Sequence, residues 1–188
     1  MSKFLIVGLG NIGDEYRDTR HNIGFKMLDA FAKVSDISFE DKRYGFVGYG
    51  RVKNAELVLL KPSTYMNLSG NAVRYWLQQE KIPLDNLFVL VDDLNIPFGA
   101  LRIRKQGSNG GHNGLGNIQS VLGTTTYARL RFGIGNDYQR GAQINFVLSN
   151  WTDEEEQQLA DRFLVTNEII RSFCLQGIEK TMSLYNGK

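Results

Sequence analysis

The stretch FLIVGL at residues 4–9 decides the fold class of this chain. Its apolar side chains run without a polar interruption, which is typical of a strand buried on both faces of a sheet. Residues 22–34 then carry apolar side chains at helical spacing. These positions are Ile23, Met27, Leu28, Phe31 and Val34. NLFVLVDD at residues 86–93 is predicted to be a second buried strand, so the order of elements indicates an α/β fold.

The rest of the chain continues the alternation of strands and helices. GFVGYGRV and AELVLLK, at 45–52 and 55–61, are separated by two polar residues and predict an antiparallel hairpin. The capping-box sequence that begins at Thr152 predicts the start of a C-terminal amphipathic helix. The other predicted elements are helices at 69–81 and 112–123, with Gly123 as the C-cap of the second, and strands at 100–106 and 128–135. Together these elements favour a mixed sheet.

The composition excludes several classes of protein. The chain has 188 residues, of which 42% are hydrophobic and 22% are charged, as in a globular domain with a real core. Its single Cys excludes an intramolecular disulfide framework and a cysteine-rich zinc site. No apolar run approaches the ~18 residues of a membrane span, and the N-terminal apolar stretch lacks the cleavage site of a signal peptide. We therefore expect a single-domain cytoplasmic protein without membrane association.

The charges are distributed unevenly along the chain. The formal net charge is only +2, but residues 98–150 contain six Lys and Arg side chains against Asp137 alone. Such a block can form one basic face that binds nucleic acid or another polyanion. Alternating Arg residues on a wet sheet surface would give the same count without any partner, so charge alone leaves both interpretations open.

Polar side chains gather where the predicted strands end. In an open α/β sheet, ligands bind beyond the carboxyl ends of the strands, and several carboxamides and one His–Asp pair fall at such positions. The residues are Asn11, Tyr16 and His21, then Tyr65, Met66 and Asn67, then Asp92 and Asp93, and finally Ser108, Asn109, His112 and Asn113. So many neutral hydrogen-bonding groups suggest a site that orients a polar substrate and one water molecule.

The first loop has the glycine spacing of a dinucleotide-binding turn. Gly8, Gly10 and Gly13 match G-x-G-x-x-G directly after a strand. A dinucleotide site also needs a helix that opens at the third glycine and an acidic residue at the end of a second strand. Here the polar sequence DEYRDTRHN follows, and the acidic strand end is missing. The pattern therefore disfavours a nicotinamide cofactor.

Five segments stand out across nearly the whole chain: VGLGNIG…Y…TRHNIGF (7–25), KPSTYMNLSG (61–70), VDDLNIPFGALRIR (91–104), GSNGGHNGL (107–115) and RLRFGIG (129–135). In their order and spacing they resemble bacterial peptidyl-tRNA hydrolase. The resemblance implies hydrolysis of the ester that joins a peptide to the 3′ ribose of tRNA, without metal or cofactor. It also implies a single monomeric domain over residues 1–188, with a mixed, largely parallel twisted sheet flanked by helices on both faces.

The resemblance assigns roles that agree with the chemistry of the residues. His21 occupies the catalytic position, and imidazole, with an ordinary pKa of about 6.5, suits a base that activates water near neutrality. Asp92 would orient this imidazole, whereas Asp93 points to the opposite face and is expected to be a solvated or supporting acid. Asn11 would distinguish N-blocked from free aminoacyl groups. Asn67 and Asn113 would bind substrate, and either can donate to the oxyanion.

The remaining expectations concern the wider substrate. Tyr16, Tyr65 and Met66 are expected to line the substrate region, and His112 is given a supporting role. The tRNA backbone is expected to contact Arg102, Arg104, Lys105, Arg129 and Arg131. The polar, glycine-bearing residues 136–150 are expected to form a mobile lid over the strand ends.

Rival chemistries find less support in the sequence. Cys174 lies in an apolar helical pattern and is predicted to pack in the core instead of acting as a nucleophile. Two His residues are few ligands for a metal hydrolase. Ser69 lacks the strand–turn–helix elbow of a serine esterase and fits a turn or cap. A relative that binds RNA without cleaving it is the main alternative, although a pure binder has no need for a positioned base.

Overall fold

Seven strands form one mixed sheet in the computed structural model, which describes residues 2–188. Met1, the first residue of the predicted domain, lies outside the described residues. The strands are β1 (Lys3–Gly8), β2 (Glu40–Lys42), β3 (Gly45–Val52), β4 (Ala55–Pro62), β5 (Leu87–Asp93), β6 (Leu101–Arg104) and β7 (Ala128–Gly133). Their order across the sheet is β2-β3-β4-β1-β5-β7-β6. The four central strands, β4, β1, β5 and β7, are parallel, whereas β3 and β6 run antiparallel to their neighbours.

Helices cover both faces of the sheet because the central strands are apolar on both faces. The α-helices are α1 (Ile23–Val34), α2 (Ser69–Gln79), α3 (Asn113–Leu122), α4 (Gln143–Val147), α5 (Asp153–Gln176) and α6 (Ile178–Tyr185). In β1, Phe4 and Ile6 pack into one hydrophobic core with α1 and α5, while Leu5 and Val7 pack into a second core with α2 and α3. Among the described residues, no helix has the length and apolarity needed to cross a membrane.

Two glycines, Gly8 at the end of β1 and Gly24 in α1, let the helix approach the sheet very closely. A Cβ on Gly24 of α1 would lie 2.5 Å from the carbonyl oxygens of Leu9 and Leu90, so a side chain there would separate the helix from β1 and β5. The chain does not enter a helix at Gly13 but makes two short 3-10 turns, Asp14–Tyr16 and Arg20–Asn22, before α1 begins. This geometry agrees with the sequence argument against a dinucleotide turn, and it places His21 at the carboxyl ends of β1 and β5.

Most of the predicted elements are confirmed, with shifts of no more than two residues at their ends. Gly123 ends α3 in the left-handed conformation, with φ of 73°, and Thr152 forms the predicted capping box with Glu155. The α/β prediction with a mixed, largely parallel sheet and helices on both faces is confirmed. Three features were not predicted. These are the short exposed strand β2, the five-residue helix α4, and the break at Gly177 that separates α6 from α5.

Candidate active site

His21, Asp92 and His112 meet at the carboxyl ends of the parallel strands. Asp92 lies near the end of β5, His21 is in the 3-10 turn before α1, and His112 is the N-cap residue of α3. His21 Nδ1 lies 2.9 and 3.0 Å from the two oxygens of Asp92, and His112 Nε2 lies 2.8 Å from Oδ1. The Asp92 side chain is only 4% exposed. One buried carboxylate therefore holds two imidazoles.

The hydrogen bonds of His112 fix the position of its proton. Its Nδ1 accepts from the backbone N–H groups of Gly114 and Leu115, so this nitrogen carries a lone pair. Nε2 must then carry the proton, which it donates to Asp92. His112 thus caps α3 and donates to the carboxylate in its neutral form, and both interactions define the supporting role that the sequence suggested.

The same reasoning fixes the tautomer of His21. Because Asp92 is an acceptor, Nδ1 of His21 carries a proton and donates it to the carboxylate. In the neutral ring, Nε2 then holds the lone pair, and it has no hydrogen-bond partner among the residues described. A nitrogen with a free lone pair is the form of imidazole that can accept a proton from water.

Burial and charge act on these groups in opposite directions. Burial lowers the pKa of His21, but the negative charge and hydrogen bond of Asp92 outweigh it, so the pKa is raised above its ordinary value. Burial likewise opposes ionisation of Asp92, but its interactions with His21 and His112 hold the pKa of this carboxyl well below its usual range. Asp92 is therefore ionised throughout the physiological range.

Asn11 is held by a network that the sequence did not reveal. Its Oδ1 accepts from the backbone N–H of Met66 at 2.9 Å, which leaves its amide nitrogen as the available group. The side chain of Asn22 bonds the Asn11 backbone on both sides, accepting from N at 2.8 Å and donating to O at 2.9 Å. Asn22 directly follows His21, and this adjacency was the only signal that could have singled it out.

The predicted substrate residues differ in their exposure. Asn67 and Asn113 are exposed, in the 3-10 turn Met66–Leu68 and at the first position of α3. These two elements touch, since a Cβ on Gly114 would lie 2.8 Å from Sδ of the buried Met66. Tyr65 is 66% exposed, whereas Tyr16 is half-buried. The two carboxamides therefore lie on adjoining elements, and Asn113 also lines the pocket beside His21.

A small pocket opens beside the two imidazoles. Its volume is about 80 Å³, which is room for several water molecules. His21, Asp92 and the loop that carries His112 line this pocket together with Ile144 and Val147 of α4. The segment at 136–150, which we expected to be a lid, thus contributes a wall of this pocket; its mobility stays a prediction.

Asp93 matches the second of the two roles expected for it, a supporting acid and not a solvated one. Its side chain is 9% exposed and pairs with Arg131 at 3.4 Å. Arg131 also donates to the backbone oxygen of Ser108 and lines the pocket. Asp93 is therefore a supporting acid that holds Arg131 at the edge of the site.

The basic residues are not all on one surface, and the prediction for Arg129 was wrong. Arg129 is 1% exposed, its guanidinium lies 4.0 Å from the centre of the Tyr127 ring, and it donates to the backbone oxygens of Gly107, Thr125 and Tyr127. It is a structural residue that joins two loops and cannot contact a phosphate. Arg102 and Arg104 are exposed on the edge strand β6, and Lys105 forms an exposed ion pair with Glu179.

The rival chemistries are tested by the same structure. Burial raises the pKa of Cys174 to about 12, so it is a thiol at neutral pH and not an activated nucleophile. Ser69 donates to the backbone oxygen of Met66 at 2.7 Å and stabilises a turn, as expected.

His21, Asp92 and His112 also offer three ligand atoms within 4.8 Å of one another. A metal ion would need the lone pairs of nitrogens that instead donate protons to Asp92. The second nitrogen of His112 is already occupied by two backbone N–H groups. This donor set therefore suits proton transfer better than metal binding.

An α/β sheet that brings a carboxylate-held histidine and carboxamides to its strand ends fits the class of hydrolases. Comparison with known proteins gives the family. A family model described as peptidyl-tRNA hydrolase matches residues 5–188. The peptidyl-tRNA hydrolases of Bacteroides fragilis and Phocaeicola vulgatus are 59% and 60% identical over 186 residues, which is 99% of this chain and 100% of each relative.

A solved structure gives the same result. The crystal structure of peptidyl-tRNA hydrolase from Acinetobacter baumannii superposes with a TM-score of 0.91 at 30% identity, covering 97% of this chain and 94% of that one. The chain belongs to the peptidyl-tRNA hydrolase family. It is a hydrolase that acts on the ester bond of peptidyl-tRNA.

Proposed function

We propose that His21 is the general base of this hydrolysis and that Asp92 holds it in the active tautomer. The observation that carries the proposal is the shared carboxylate, which accepts one proton from each imidazole and leaves His21 Nε2 with its lone pair. Nε2 takes a proton from water while the water oxygen attacks the ester carbonyl. The carbon–oxygen bond to the ribose then breaks, and the imidazolium returns its proton to the leaving 3′ oxygen.

The surroundings of His21 support this cycle. The charge of Asp92 stabilises the imidazolium that forms when water loses its proton, since the two side chains are 12% and 4% exposed and poorly screened. Asn67 and Asn113, on adjoining elements, are proposed to donate to the oxyanion and to hold the substrate. No cofactor enters any of these steps.

Asn11 is proposed to select peptidyl over free aminoacyl groups through its amide nitrogen. Because Oδ1 is occupied by the backbone of Met66, the group left for substrate is a donor. A donor can bond the carbonyl oxygen of the first peptide bond. A free ammonium group has only donors and finds no acceptor there, so its binding is disfavoured.

The tRNA is proposed to lie across the edge strand β6. Arg102 and Arg104 are exposed there, Lys105 follows them, and Arg131 lies at the border of the pocket with Asp93. These residues are proposed to bind phosphates near the acceptor end, while Tyr16 and Tyr65 stack on a base or a sugar. We further propose that residues 1–188 form one monomeric domain that needs no protein partner and acts where tRNA is used, in the cytoplasm.

Single-turnover hydrolysis of N-acetylated aminoacyl-tRNA tests the role of His21. His21→Ala is expected to lower the rate at least ~10²-fold, the usual contribution of a positioned base, with little change in tRNA affinity. A chelator is expected to leave the wild-type rate unchanged. Retention of the wild-type rate by His21→Ala would remove His21 from the mechanism. Binding without cleavage by the wild-type protein would instead identify the chain as an RNA-binding relative.

Asn11→Asp tests the selection of the substrate with almost no change in shape. One carboxylate oxygen can still accept from Met66, and the other turns the free donor into an acceptor with negative charge. The ratio of kcat/KM for N-acetylated over free aminoacyl-tRNA is therefore expected to fall at least ~10-fold. Asn67→Asp, which alters a carboxamide assigned to the oxyanion, is expected to slow both substrates alike. An unchanged ratio in Asn11→Asp would refute this role.

A further inference from the structure

Arg20, which directly precedes His21, is buried although its side chain is charged. It is 6% exposed, and its Nη1 donates to the backbone oxygen of Asn150 at 2.7 Å and to Ser149 Oγ. Its Nη2 forms an ion pair with Glu155 at 2.8 Å. The guanidinium also lies over two aromatic rings, 4.4 Å from the centre of the Phe146 ring and 5.6 Å from that of Trp151. All these partners belong to one segment, residues 146–155.

Backbone contacts also join the turn around Arg20 to the segment 146–155. The N–H of Arg20 donates to the backbone oxygen of Ser149 at 3.0 Å, and Thr19 forms an isolated antiparallel bridge with Asn150. The 3-10 turn that holds His21 is thus joined to residues 149–150 by backbone and side-chain bonds together. A turn fixed on both levels has little freedom to change the position of the imidazole.

The segment that Arg20 holds is also part of the site. Phe146 belongs to α4, whose Ile144 and Val147 line the same pocket as His21. Glu155 completes the capping box of α5, because it accepts from the backbone N–H of Thr152 with the same Oε1 that binds Arg20. Arg20 therefore connects the catalytic turn, the α4 wall of the pocket and the start of the long helix α5.

Stability alone is a weak explanation for such a residue. Burying an ion pair costs desolvation free energy. Well-packed apolar side chains of similar volume can therefore often replace such a pair without loss of stability. What a guanidinium offers is a rigid planar fork with five donors, which sets several partners at defined angles. The Nε of Arg20 is buried without a hydrogen-bond partner in the described structure, so part of this desolvation is uncompensated.

We propose that Arg20 is a positioning residue for hydrolysis, which sets His21 and the α4 wall of the pocket at a fixed separation by joining both to residues 146–155. The inference rests on the proposed role of His21 as general base. Arg20 touches neither water nor substrate in this scheme. It acts through the turn that carries His21, where a shift of about 1 Å can cost ~10²-fold in rate.

Arg20→Lys tests the inference because it keeps the positive charge and loses the fork. We expect kcat to fall about 10- to 100-fold while KM and the affinity for deacylated tRNA stay within about threefold. The acidic limb of the kcat profile should also move to lower pH. Asp92 raises the pKa of His21, and a loosened turn weakens their contact. In the described structure Asp92 and His112 contact this imidazole directly, and Asp93 and Arg131 line the same pocket.

Two further variants separate positioning from helix capping. Glu155→Gln removes the charge that binds Arg20 but keeps an oxygen for the Thr152 N–H, so its kcat is expected to fall about 3- to 10-fold. Thr152→Ala removes the side-chain cap of α5 and leaves Arg20 paired, so its kcat should be unchanged. Arg17→Lys, in the same loop and exposed, controls for Arg-to-Lys exchange.

The outcomes decide the inference in every case. Folded Arg20→Lys with wild-type kcat and pH profile would overturn it, and so would a loss of activity that only follows the folded fraction measured by circular dichroism. If Arg20→Lys does not fold, Glu155→Gln decides, since a wild-type kcat there refutes the coupling. Failure of the proposed function is recognised separately, because His21→Ala would then keep its activity.

Discussion

Replacing Asp92 with Asn removes the charge at the centre of the site and keeps the size of the side chain. Asp92 now accepts one proton from His21 and one from His112. An Asn has one acceptor oxygen and one donor nitrogen, so it can accept a proton from only one of these imidazoles and must donate to the other. His112 cannot reverse its ring without losing its cap on α3. His21 must then place its proton on Nε2, and the lone pair that should accept the proton of water is lost.

The expected loss of rate follows from the charge that disappears. Two unit charges about 4 Å apart near a protein surface attract by about 4 kcal/mol, and the imidazolium formed in the transition state loses this attraction. Since each ~1.4 kcal/mol is tenfold in rate, kcat of Asp92→Asn should be about 10³-fold below wild type. The pKa of His21 should also fall, because the group that raises it is gone.

Single-turnover hydrolysis of N-acetylated aminoacyl-tRNA is the assay, with binding of deacylated tRNA measured alongside. Asp85→Asn is the matched control, since this exposed carboxyl lies in the 3-10 turn Leu84–Asn86 before β5, at the opposite end of the strand from Asp92. It should keep kcat within about threefold of wild type. A wild-type kcat in Asp92→Asn, or an equal loss in both variants, would refute the reasoning.

Two further predictions concern the arginines and the pH dependence. Arg104→Ala should weaken tRNA binding and lower the slope of log K against log salt by about one unit, whereas Arg129→Leu, which alters a buried side chain, should leave that slope unchanged. Arg129→Leu should instead lower the free energy of unfolding in urea by about 2–4 kcal/mol, because three backbone oxygens lose their donor; a stable protein with a reduced slope would contradict both assignments. The wild-type kcat should fall with decreasing pH as His21 becomes protonated, with a midpoint above the ordinary 6.5, and a midpoint below that value would contradict the effect assigned to Asp92.

Much of the fold could be predicted because local patterns decide it. The apolar run at 4–9 gave the central strand, and the capping box at Thr152 gave the start of α5. The strand β2 consists of three residues, all exposed, and the helix α4 of five residues. Neither is long enough to show a periodic pattern of apolar side chains. Their existence depends on contacts with distant parts of the chain.

The burial of Arg129 shows where local pattern fails. Residues 128–133 alternate apolar and basic side chains, which predicts one wet face, and the same pattern in β6 is correct. However, β7 lies inside the sheet between β5 and β6, and the loops around Gly107 and Thr125 cover Arg129. The position of a strand in its sheet depends on distant parts of the chain, so the alternation of apolar and basic residues along the strand cannot predict it.

The active site was predicted only in part, because some of its contacts also depend on non-local placement of the chain. The pairing of His21 with Asp92 followed from the strand ends and the family resemblance. The second imidazole on Asp92 and the double bond of Asn22 to the Asn11 backbone did not. The first depends on how the segments after β1, β5 and β6 come together, and the second on how the connection from β1 to α1 folds back on itself; spacing along the chain specifies neither.

The position of the proton on His21 tests the central claim most directly. In a ¹⁵N NMR titration, the neutral ring should carry its proton on Nδ1, and Nε2 should become protonated with the same midpoint at which kcat falls to half. His112 should show the opposite tautomer, with its proton on Nε2. A neutral His21 with its proton on Nε2, or a midpoint that differs from that of kcat, would contradict the assignment of His21 as the general base.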